Sequence, residues 1–157
     1  MEMPKPGEAH AKFRALAGSW RGEERLFPSA WDPKGGMALG RVKSRTALGG
    51  LLLVTDVEQE RNGQCSFEGH GVLRWDASGG EYVMHWFDSM DMPPNVFRGR
   101  FEGTRLVLRT LDANGETRLT YEIAEARRYS LCMEFSGDGR TWQPFLEGKY
   151  ERVEGPS

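Results

Sequence analysis

The side chains best equipped for chemistry in this chain are few and scattered, and their types fit ligand anchoring or proton transfer. Glu24 lies four residues after Trp20 and two before Leu26, so on a strand all three share one face. A carboxylate on an apolar face needs a partner; it is equipped to move a proton or to anchor a ligand amine, or else it ends its strand in water or beside a structural arginine. His70 stands in Gly69-His70-Gly71, where flanking glycines let a backbone or a ligand approach closely. An imidazole there suits acid, base or ligand duty, although strict alternation groups His70 with Glu68 and Arg74, opposite Phe67, Leu73 and Trp75. The run from Met84 to Pro94 combines aromatics, thioethers and carboxylates. It reads either as a pocket rim contributing Met84, Trp86, Asp88 and Met92, or as a core strand with a proline-stiffened cap. Tyr121 and Tyr150 complete the ligand-contact set, each needing a hydroxyl partner if it points inward.

Other chemistries find little support. His10, His70, His85, Asp88 and Asp91 show no zinc-type spacing, so no metal is expected, and nothing calls for a cofactor. There is no Gly-x-Ser-x-Gly elbow, phosphate loop or dinucleotide fingerprint. Cys65 and Cys132 have no adjacent basic partner and read as packing residues.

The elements that must position these groups are mostly strands. Over residues 8–17, Ala9, Phe13, Leu16 and Ala17 fall at helical spacing and predict one short amphipathic helix. Alternation and turn signals then recur at short intervals. They predict strands over 19–27, 39–48, 51–60, 66–75, 81–89, 96–102, 105–111, 117–123, 129–136 and 141–153. Asn62-Gly63 is the strongest hairpin signal. Late in the chain, Leu119, Tyr121 and Ile123, then Tyr129, Leu131, Met133 and Phe135, then Trp142, Leu146 and Tyr150 each line one apolar face. About ten antiparallel strands with one apolar face must close or split to avoid open edges. The reading is one all-β domain over residues 1–157, an antiparallel β-barrel of about ten strands with a short N-terminal helix. Since about eight strands already hold side chains or one small ligand, an internal cavity is expected.

Composition bounds the partners. A chain of 157 residues buries enough core to fold without disulfide or metal. The 21 basic and 23 acidic residues are interspersed, so nucleic-acid binding is not expected. The longest apolar run, Leu51-Leu52-Leu53-Val54, is far short of a span, and the N-terminus lacks a basic region followed by an apolar one. No membrane partner and a cytoplasmic, reducing setting are expected.

Two resemblances add to this. Gly18-Ser19-Trp20 after a short helix, at the head of the first strand, resembles the opening of lipocalin-like (calycin) barrels. The resemblance implies that Trp20 plugs the closed end and that Arg152, from the last strand, packs over it. More of the chain is similar to a bacterial family catalogued as domain of unknown function 1579. The similarity is carried by the segment from Leu16 to Glu24 with His10 before it, Pro28-Ser29, Trp31-Asp32-Pro33, Gly40-Arg41, Leu48-Gly49-Gly50, Phe67-Glu68-Gly69-His70-Gly71 and Trp86-Phe87-Asp88-Ser89-Met90-Asp91-Met92-Pro93-Pro94. It runs from about Pro4 to Val153 and implies a lipocalin-like barrel without assigning a chemistry. Where the family pattern carries an aromatic such as Tyr, this chain has His85.

Three functional readings follow. The first is a carrier or sensor that binds a small apolar or amphipathic organic molecule in the barrel. The second is an enzyme, an isomerase, cyclase or hydrolase, using Glu24, His70 or Asp88 as acid or base, which requires at least two of them to converge. The third is an assembly module, with the outer strand face or the 90–95 loop pairing with a second copy as a homodimer.

Overall fold

A computed structural model describes residues 1–30 and 32–153; Trp31, which contributes to the family resemblance, lies outside the described residues. Ten antiparallel strands close into a barrel in simple meander order, the first strand pairing with both the second and the last. They are β1 (Gly18–Leu26), β2 (Gly36–Ala47), β3 (Leu52–Arg61), β4 (Gln64–Asp76), β5 (Glu81–Asp88), β6 (Asn95–Glu102), β7 (Arg105–Asp112), β8 (Gly115–Glu122), β9 (Arg128–Ser136) and β10 (Gln143–Arg152). Closure puts Trp20 opposite Arg152 on one side and Val42 on the other. It leaves no sheet edge.

Tight turns set the register, with Asn62 and Gly63 both at positive φ, as a two-residue hairpin turn requires. Between β2 and β3 the expected Gly49-Gly50 turn is a 3₁₀ turn over Leu48–Gly50. The predicted helix over 8–17 is shorter and mixed. It is one α-helical turn, α1 (Glu8–Ala11), continued by a 3₁₀ turn over Lys12–Ala15. So short a segment draws its order from packing rather than from helix propensity. Phe13 and Leu16 are both buried in the core cluster.

Inward residues follow period two along each strand. On β1 these are Trp20, Gly22 and Glu24, all buried, while Arg21, Glu23 and Arg25 are exposed. One inward assignment fails. Trp142 was expected to share a face with Leu146 and Tyr150, but a β-bulge between Pro144 and Leu146 shifts the register of β10 against β9. An inserted residue flips every side chain before it. Trp142 accordingly lies against the Arg118 guanidinium, 3.9 Å from its ring, and Arg118 pairs with Glu134 on the outer face at 3.0 Å.

Candidate functional site

Meander order places the two barrel ends differently. At one end the chain enters through the N-terminal segment and leaves through β10, and this end is sealed. The Trp20 indole donates from Nε1 to the Leu16 carbonyl at 2.9 Å. The Arg152 guanidinium lies 4.2 Å from the Trp20 ring and donates to the carbonyls of Ala17 and Ala126 at 2.5 and 3.1 Å. Such a stack satisfies helix-end carbonyls while covering an aromatic face. The Tyr82 hydroxyl donates to the Ala9 carbonyl at 2.7 Å. Its ring meets Phe13, Trp75 and Phe101 edge to face. Trp20, Phe13 and Leu106 are 1–2% exposed.

Toward the middle of the barrel sits a polar cluster. Glu24 is only 3% exposed. Its Oε1 accepts from Gln59 Nε2 at 3.0 Å, and its Oε2 accepts from the Tyr150 hydroxyl. Among the described residues no cation forms an ion pair with it. Glycines make the space. A Cβ on Gly40 would stand 2.6 Å from the Glu24 carboxylate, and one on Gly148 would stand 2.3 Å from the Tyr150 hydroxyl. Tyr129 stacks on Tyr150 with centroids 4.8 Å apart, and Tyr121 lies beyond it at 6.3 Å. Burial pushes the Tyr121 phenol up to about 12. It also lifts Tyr129 and Tyr150 well above the ordinary phenol range, the Glu24 carboxylate adding to both. These hydroxyls therefore stay protonated and able to donate at neutral pH.

The other end is more open. Trp86 points inward with its indole across Gly69 and Gly71, where a Cβ would stand 2.3 and 3.1 Å from the ring. Its Nε1 donates to Asp88 at 2.9 Å, and the other Asp88 oxygen accepts the Met90 N–H at 3.0 Å. Six inward residues of this half, Gln59, Trp86, Asp88, Thr117, Met133 and Phe135, keep partial exposure. Here β6 and β7 also part, for their pairing runs only from Arg98 with Arg109 to Glu102 with Arg105. Residues 95–97 and 110–112 at the mouth lie beyond that ladder. The lumen is less empty than ten strands led us to expect, because Trp20, Trp75, Tyr82, Trp86, Tyr129 and Tyr150 all turn into it. Two surface depressions, each about 500 Å³, lie outside it, one beside residues 125–128 and one along residues 37–39, 60, 62 and 63.

The candidate set therefore divides. Glu24, Tyr121 and Tyr150 come together inside, Met84 is buried in the core cluster, and Trp86 with Asp88 forms the wall near the mouth. His70 does not join them. It is exposed on the outer face, with Nδ1 2.7 Å from Asp56, because Gly69 and Gly71 take the inward positions. Met92 sits on the mouth loop, 68% exposed. Its prolines hold the loop outside the strand ladder. His85 also faces outward, accepting from Arg74 Nε at 3.2 Å. The pairing of Glu24 with His70 as acid and base is ruled out, since the two lie on opposite faces of the sheet. Gln59 and Tyr129 were missing from the set. The alternation Leu53, Thr55, Val57, Gln59 marked the first as inward. Among the described residues no group of three or more His, Cys, Asp or Glu could hold a metal ion, and no helix is long and apolar enough to cross a membrane.

Solved structures share this architecture. One described as the crystal structure of Rv2717c from M. tuberculosis matches with a TM-score of 0.71 at 16% identity, covering 94% of this chain and 99% of that one. The S-type phycobiliprotein lyase CPES from Guillardia theta matches with a TM-score of 0.62 at 10% identity, covering 94% of each. Identities this low show the fold alone. No curated protein matches the sequence. The family described as "Protein of unknown function (DUF1579)" matches residues 5–152, a span that holds all ten strands, and the chain belongs to that family.

Proposed function

We propose that this protein binds one small organic molecule in the open half of its barrel. The contact residues are Trp86, Asp88 and Met84 on the β5 wall, with Glu24, Tyr121 and Tyr150 below. The observation that carries the reading is the gradient along the lumen. The plug residues Phe13, Trp20 and Tyr82 are 1–4% exposed, whereas Gln59, Trp86, Asp88, Thr117, Met133 and Phe135 toward the mouth keep partial exposure. Apolar walls with a few convergent polar groups are the usual makeup of a ligand site. Similarity to a lyase structure is in keeping with the fold's use for handling small molecules, although it identifies none.

Titration with N-phenyl-1-naphthylamine, a neutral apolar fluorophore, tests the reading. Saturable binding of about one molecule per chain, weakened by Trp86→Ala, is expected. No emission rise at any concentration short of probe aggregation would overturn it.

A further inference from the structure

We propose that the ligand is an organic cation, such as a protonated amine or a quaternary ammonium, and that the Glu24 carboxylate is its counter-charge. This inference rests on the reading of the barrel as a ligand site.

Glu24 and Asp88 both occupy inward positions, and the cations nearest the lumen are committed elsewhere. Arg152 is fixed over Trp20 and on backbone carbonyls at the sealed end. At the mouth, Arg61 donates to Asp32 and the Gly35 carbonyl at 2.9 and 2.8 Å. Among the described residues the lumen therefore carries carboxylate charge with neutral partners only. A buried carboxylate with no cation costs free energy that a cationic ligand would recover, whereas an anionic ligand would add to the cost.

The surroundings of Glu24 strengthen the assignment. Its partners Gln59 and Tyr150 take one hydrogen bond on each oxygen, leaving acceptor capacity, since an ionised carboxylate offers about four lone-pair sites. Tyr150, Tyr129 and Tyr121 form a run of rings beside it. Carboxylate together with aromatic faces is the chemistry that recognises ammonium groups. The gap at Gly40 brings the Glu24 carboxylate across to β2 and toward Gln59. With Ala there the carboxylate would have to move.

Displacement of N-phenyl-1-naphthylamine by decyltrimethylammonium, decanol and decanoate, each below its micelle or solubility limit, tests the proposal. The expected order is cation, then alcohol, then carboxylate, with the cation at least about tenfold tighter than the alcohol. In Glu24→Gln the cation's advantage over the alcohol should fall below about threefold. Equal affinity for cation and alcohol, tighter binding of decanoate, or a cation preference unchanged in Glu24→Gln would overturn the proposal and leave the ligand site standing. Failure of the fluorophore and all three amphiphiles to bind would remove the site itself. Should Glu24→Gln not fold, the ranking on the unaltered protein still decides the charge class.

Discussion

The two ends of this barrel are built on the same alternation of inward and outward residues, yet they differ in how their polar groups are spent. At the sealed end the donors of the plug are turned to backbone carbonyls: Trp20 to Leu16, Arg152 to Ala17 and Ala126, Tyr82 to Ala9. The N-terminal segment is thereby tied to the strands. Toward the mouth the donors and acceptors pair among side chains, as in Trp86 with Asp88 and Gln59 with Glu24. Such pairs can exchange partners without unfolding a strand. A period-two pattern thus supplies a lumen, and the hydrogen-bond partners decide which end of it is structural and which is available.

Substitutions sharpen this contrast. Trp20→Ala removes the ring beneath Arg152 and should destabilise the protein by about 3–5 kcal/mol in urea unfolding. A loss under 1 kcal/mol would mean that the plug carries no stability. Alkaline pH should act next. All four tyrosines have raised phenol pKa values, chiefly through burial. The folded state therefore keeps protons that the unfolded chain gives up above the ordinary 10.0. The associated stability is complete below pH 10.0 and is lost as pH rises through the folded values, about 12 for Tyr121. Absorbance at 295 nm should show little phenolate at pH 10.0 while the protein stays folded; a smooth tyrosine titration centred near 10 in folded protein would contradict the packing.

The mouth should be more tolerant. Trp86→Phe loses the bond to Asp88 and some ring area, costing about 0.5–1.5 kcal/mol, while weakening fluorophore binding measurably. An effect on stability as large as that of Trp20→Ala would erase the distinction between the ends. Met92→Ala, on the exposed loop, should stay within about 0.5 kcal/mol of the parent by thermal melting.

Much of the architecture was legible in the sequence, and for a physical reason. Closure follows from ten short alternating segments with one apolar face, and Asn62-Gly63 and the other turn signals separated them in the right places. One misreading arose where a local irregularity changes phase. Trp142 went to the outer face because of the bulge before Leu146, which no residue type announces. His70 drew attention through its glycines, yet those glycines make room for Trp86 rather than for a ligand beside the histidine. Gln59 was hidden for another reason. Its partnership with Glu24 spans 35 residues of sequence, and it is the pairing of β2 with both β1 and β3 that brings them to opposite sides of the glycine at position 40.

The central claim, that the mouth half binds and the plugged half does not, is tested most directly by the indole N–H resonances in ¹H–¹⁵N spectra during titration with N-phenyl-1-naphthylamine. The Trp86 indole resonance should shift or broaden with saturation, and the Trp20 resonance, held on the Leu16 carbonyl, should stay in place. Movement of Trp20 with an unmoved Trp86 would contradict the account.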